Sequence, residues 1–150
     1  MKTLAKEYTV VEITRPNVDI CIICHDLEKS LYFYQEIMGF EIALDVFVTD
    51  EIAMKAGLAP KGFRQVRLKA GETLIKLVGI DPSPGPRTDE FAAGVRWLTF
   101  FISDMAGTYK KMKEQGVTFL GEPFSAMEAA GVACALDPDG ILIEMVELGE

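Results

Sequence analysis

Half of this chain is a variation on the other half. Asp19-Ile-Cys-Ile-Ile-Cys-His-Asp26 lies over Trp97-Leu-Thr-Phe-Phe-Ile-Ser-Asp104, each a mostly apolar strand-like run ending in aspartate, at an offset of 78 residues. The offset continues: Leu27, Leu31, Tyr34 and Met38 repeat as Met105, Tyr109, Met112 and Gly116, a spacing of four, three and four that suits one helix face. Asp26 and Asp104 are natural N-caps, and Gly39 and Gly116 stand where a helix hands over to extended chain. Both halves close on a hairpin with one charged residue in mid-strand, Lys76 in Gly71-Glu-Thr-Leu-Ile-Lys76-Leu and Glu144 in Gly140-Ile-Leu-Ile-Glu144-Met.

The repeat predicts two β-α-β-β-β modules. Neither half could cover its own sheet face, so the modules must pair. The polar, proline-rich stretch Asp81–Ala93 reads as the connection, which places the first module at about 17–80 and the second at about 94–148 of one 150-residue domain. The first half carries extra residues, Asp50–Ala56, that read as a short helix stopped by Gly57. The expected class is α+β, two paired modules forming a curved sheet cup with helices outside.

Composition removes several classes of function. A formal charge of −8 offers no footprint for DNA, RNA or an anionic membrane. The longest apolar runs fall well short of the ~20 residues a membrane helix needs. The N-terminal stretch Met1–Pro16 lacks the apolar core of a secretory leader, and three cysteines suit a reducing compartment, so a cytoplasmic protein is expected. Cys21-Ile-Ile-Cys24-His25 has the spacing of a haem-attachment or redox motif, but strand alternation sends Cys21 and Cys24 to opposite faces. His25 is the only histidine, so one chain cannot build a two-histidine iron site or an imidazole-rich zinc site.

Asp26-Leu-Glu-Lys-Ser-Leu-Tyr-Phe-Tyr34 leading to Met38-Gly-Phe40, and Asp137-Pro-Asp-Gly140 leading to Ile143-Glu-Met145, resemble the vicinal oxygen chelate superfamily, closest in layout to glyoxalase I and methylmalonyl-CoA epimerase. The resemblance spans roughly residues 17 to 148 and implies a cup with up to four inward side chains on a metal. At those positions stand Asp19, Trp97, Lys76 and Glu144, so only Glu144 is orthodox.

Alternation gives the same faces independently. Asp19, Cys21 and Ile23 share a side, as do Trp97, Thr99 and Phe101, and Gln65 and Arg67 point to the cup from the third strand. Asp19 and Glu144 are hard oxygen ligands suited to Mg or Mn if a cation is bound, whereas an ammonium at Lys76 favours a site without metal; neither haem nor nucleotide is implied. One expectation is a glyoxalase-like lyase or isomerase in which Glu144 removes a proton next to a carbonyl and Lys76 neutralises the enediolate. Arg67 would hold a substrate carboxylate or phosphate. The alternative is metal-free sequestration of a planar or aromatic small molecule, as the resemblance to bleomycin-resistance proteins implies, with Trp97, Phe63 and Phe101 as the main contacts and Gln65 in the lining. The resemblance also implies a homodimer, in some relatives with modules shared between chains.

Overall fold

In a computed structural model, the described residues are 11–88 and 90–150; most of the N-terminal stretch read above for a leader lies outside them. The first module runs β1 (Ile20–Ile23), α1 (Leu27–Tyr32), β2 (Glu41–Val48), α2 (Asp50–Ala56), β3 (Phe63–Ala70) and β4 (Thr73–Gly79). The second runs β5 (Trp97–Phe101), α3 (Met105–Glu114), β6 (Phe124–Ala126), β7 (Ala129–Leu136) and β8 (Leu142–Leu148). Two four-stranded mixed sheets result, ordered β1-β4-β3-β2 and β5-β8-β7-β6, with the parallel pair between first and last strand of each module. This is the α+β fold of paired modules that the repeat predicts.

The helix starts follow from local chemistry. Asp26 Oδ1 accepts from the Lys29 N–H at 3.3 Å and Asp104 Oδ1 from the Gly107 N–H at 3.0 Å, each supplying a partner to an otherwise orphaned helix donor. Thr49 caps α2 in the same way, and Gly57 closes it at φ +71°, a conformation a side chain would strain.

One expectation needs correction. Leu27 to Met38 is not a single α-helical face, because α1 ends at Tyr32 and the chain continues as a π-helical segment, Phe33–Ile37, closed by Met38 N–H to Phe33 O at 2.9 Å. The consecutive residues Phe33 and Tyr34 of this wider turn are both buried.

The helix-side faces of both sheets share one core. Ile22, Leu68, Ile75 and Leu77 from the first pack in one cluster with Leu98, Ile143 and Met145 from the second, together with Phe33, Tyr34 and Met112 from the helical segments. Phe40 against Phe100, with ring centroids 5.5 Å apart, carries the contact across the module boundary.

Polar bonds lock the same boundary. Tyr34 Oη donates to Asp137 Oδ2 at 2.7 Å, Ser30 Oγ to Asp139 Oδ2 at 2.8 Å, and the His25 N–H to Asp139 Oδ1 at 2.7 Å. Asp137 Oδ1 accepts the N–H groups of Asp139 and Ile141, which shapes the turn before β8. The Asp-Pro-Asp-Gly motif is therefore the part of the second module into which α1 of the first is bolted.

Candidate functional site

The open face of each sheet, opposite the core, carries the residues singled out by the repeat. In the first sheet Cys21 of β1 is the Cα partner of Lys76 in β4, and Lys76 is in turn the partner of Arg67 in β3. In the second, Thr99 of β5 faces Glu144 of β8, and Glu144 faces Cys134 of β7. Cys21 and Thr99 are repeat equivalents, so the register makes Lys76 and Glu144 equivalent as well.

Around Lys76, the ammonium Nζ lies 3.8 Å from Asp19 Oδ2. Asp19 precedes β1 and turns its other oxygen to the Leu74 N–H at 3.1 Å and to Asn17 Nδ2 at 3.0 Å. The Leu74 amide, aided by Asn17 and the Lys76 charge, holds the Asp19 carboxyl below the usual range. Arg67 Nε donates to Gln65 Oε1 at 2.6 Å. Gln65 is only 7% exposed, beside Val78 on the face where Ala53 of α2 meets Phe63 and Val78. The glutamine positions Arg67 more than it lines an open surface.

Around Glu144, Oε1 accepts from Thr99 Oγ1 at 2.7 Å, and Thr99 Oγ1 in turn accepts from Trp97 Nε1 at 3.2 Å. The carboxylate is thus oriented by a hydroxyl that an indole steers. Trp97 is 50% exposed and Phe101 68% exposed, so both rings stand largely in solvent. No hydrogen bond or ion pair among the described residues links Lys76 of the first sheet with Glu144 of the second.

These residues do not suit a divalent metal. Among the described residues, no three His, Cys, Asp or Glu side chains are placed to share an ion, and the one carboxylate beside Lys76 already faces a cation. The ammonium occupies the place where a ligand would have to donate an electron pair.

Trp97, Thr99 and Phe101 also line a crevice of about 630 Å³ between the modules, walled by Ile20, Phe40, Ile75, Met112 and Met145. Its size and apolar walls are those of a small-molecule site. Nothing in the sequence signalled this crevice, since Ile20 and Met112 are brought to Trp97 only by module packing. A larger groove, about 720 Å³, runs between α1 and the Asp137–Gly140 turn but meets none of the predicted site residues. The cysteines show no activating environment: burial pushes the Cys24 thiol up to about 12, and burial also raises Cys21 and Cys134. His25 is exposed, its Nδ1 lying 2.8 Å from the Pro84 carbonyl in the linker.

Similar proteins agree with this architecture. YetH of Bacillus subtilis is 33% identical over 121 residues, covering 81% of this chain and 88% of its own. A glyoxalase family protein from Bacillus cereus superposes with a TM-score of 0.76 at 20% identity, over 93% of this chain and 98% of that one. TnmS3, an antibiotic binding protein from Streptomyces sp. CB03234, gives 0.63 at 21%, over 95% and 100%. The family model for the Glyoxalase/Bleomycin resistance protein/Dioxygenase superfamily matches residues 17–145, and the chain belongs to that superfamily.

Proposed function

We propose that this chain binds a planar, largely apolar small molecule in the crevice between its modules, without a metal, as a single domain in which both modules form the site. The observation that carries this reading is the pairing of an apolar crevice with two exposed rings, Trp97 and Phe101, at its wall. A ligand stacking there would remove aromatic surface from water, worth about 25 cal/mol per Å² buried. Antibiotic binding by TnmS3 is a property of a protein with this fold, and it favours sequestration as the physiological role. As Trp97 is the sole tryptophan, its fluorescence reports directly on occupancy. Anthraquinone and related planar probes should quench it saturably, with the affinity unchanged by chelator and weakened about tenfold in Phe101→Ala. Absence of saturable quenching across such probes would discard the reading.

A second reading is favoured by one contact: Thr99 both lines the crevice and donates to Glu144. A carbonyl compound seated there would lie one hydrogen bond from a carboxylate able to remove an adjacent proton, the step of a glyoxalase-type lyase or isomerase. Lys76 lies on the other sheet, and the Trp97 N–H and Thr99 O–H are already given to Thr99 and Glu144, so in this reading Glu144 is the only catalytic group. Exchange of the C–H proton of 2-oxo acids into deuterated water, lost in Glu144→Gln, is the corresponding assay. A cytoplasmic setting and a homodimer complete the proposal.

A further inference from the structure

Trp97 to Ile102 line the inter-module crevice without a gap, whereas a strand that met it by one face would contribute every second residue. It is therefore the edge of β5 that opens into the crevice. β5 is the terminal strand of its sheet and pairs only with β8, in parallel. The Ile102 N–H donates to the Val146 carbonyl at 2.9 Å, so the alternation of a parallel ladder sends the N–H and C=O of Leu98, Phe100 and Ile102 to β8 and those of Thr99 and Phe101 the other way. Among the described residues no hydrogen bond takes up that outward set. A ladder edge within apolar walls presents strong donors and acceptors that a ligand must satisfy or strand.

The side chains around that edge narrow the ligand further. None of the residues lining the crevice is Asp, Glu, Lys or Arg, so a charged ligand would lose its hydration there without gaining a counter-ion. The polar side chains are the hydroxyls of Thr73, Thr99 and Thr108, and that of Thr99 is already given to Glu144. Backbone amides are thus the main polar groups, and they set donors and acceptors along one line. A lactam or imide ring carries N–H and C=O side by side in its own plane, the complement of that line, while its faces stay free for Trp97 and Phe101.

We infer that β5 recognises its ligand as it would an added strand: the crevice takes a neutral, planar lactam or imide whose ring N–H and C=O pair with the outward backbone of Thr99 or Phe101. This recognition rests on the aromatic-ligand reading of the crevice and gives it a means of selecting among planar molecules.

Three probes test this on the native chain, with no variant whose folding could fail: phenanthridinone, its N-methyl derivative, and an isomer methylated on a carbon of the ring far from the lactam. The N-methyl derivative keeps the plane and the carbonyl but strands a backbone acceptor, so Trp97 quenching should show it binding about tenfold more weakly than the parent, with the C-methyl isomer close to the parent. In amide exchange followed by NMR, the Leu98 and Phe100 N–H groups, bonded to β8, should be slow throughout. Those of Thr99 and Phe101 should be fast in the free chain, and at least one should slow about tenfold at saturating phenanthridinone. Equal quenching by the parent and its N-methyl derivative, weakening by both methyl groups alike, or quenching by anthraquinone and not by phenanthridinone overturns backbone recognition and leaves the aromatic crevice standing. Silence from every planar probe discards both. Exchange at Thr99 and Phe101 that saturating phenanthridinone leaves unchanged also overturns it. So does protection already present in the free chain and rising with chain concentration, which would assign the edge to a second copy.

Discussion

Asp137 shows how much a single residue can conceal in a sequence. As a string, Asp-Pro-Asp-Gly reads as a turn and a family signature; in the structure its first carboxylate is buried, shaping the turn through two backbone N–H groups and receiving the Tyr34 hydroxyl from the other module. Tyr34→Phe keeps the ring and strands a buried acceptor, so it should cost about 1–3 kcal/mol, read as a lowered urea midpoint with an unchanged m-value. Burial, only partly offset by Tyr34 and the backbone donors, raises the Asp137 carboxyl above its ordinary value of 3.8. A raised carboxyl binds its proton more tightly folded than unfolded. Its contribution is therefore fully present below the unfolded pKa and is lost as pH climbs through the folded one. Asp137→Asn removes that titration. The stability of the native chain minus that of the variant should consequently fall as pH rises from below 4 toward neutrality, and a difference flat with pH would contradict the assignment.

Elements divide by whether their cause is local. Caps at Asp26 and Asp104, the alternation of β1, β5 and β8 and the stop at Gly57 rest on residues within a turn of one another, and all were legible; the Thr49 cap of α2 is equally local but was not read. The π-helical segment was not, and its Phe33 and Tyr34 pack in a core supplied partly by the other module. The placement of α2 was equally invisible: its sequence predicts a helix but says nothing of Ala53 meeting Phe63 and Val78 on the face that otherwise belongs to the site. Ala53 is fully buried, so Ala53→Leu should overpack this contact by about 1–3 kcal/mol. If α2 is what covers Gln65, hydrogen exchange in the variant should accelerate at residues 63–66 well before the second sheet responds. Uniform acceleration across both sheets would mean that α2 does not act as a separate cover.

At the scale of the molecule, the duplicated sequence made the α+β class readable, and the repeat register made Lys76 and Glu144 equivalent positions. That no hydrogen bond or ion pair among the described residues joins them was not readable, since it depends on the shared core that draws the helix-side faces of both sheets together. One consequence is an apolar row across the open face of the second sheet: Phe101 pairs with Val146, Val146 with Val132, and Val132 with Phe124. Phe101 and Phe124 at its ends are both largely exposed, an arrangement that costs solubility unless another surface covers it. The homodimer proposed above would cover the Phe124 end of this row. Phe124 lies outside the inter-module crevice, so Phe124→Asp probes association without touching the proposed ligand contacts. The native chain should sediment as a dimer at micromolar concentration and Phe124→Asp as a monomer with an unchanged circular dichroism spectrum. A native chain that stays monomeric at every concentration would assign that exposed row to some other partner.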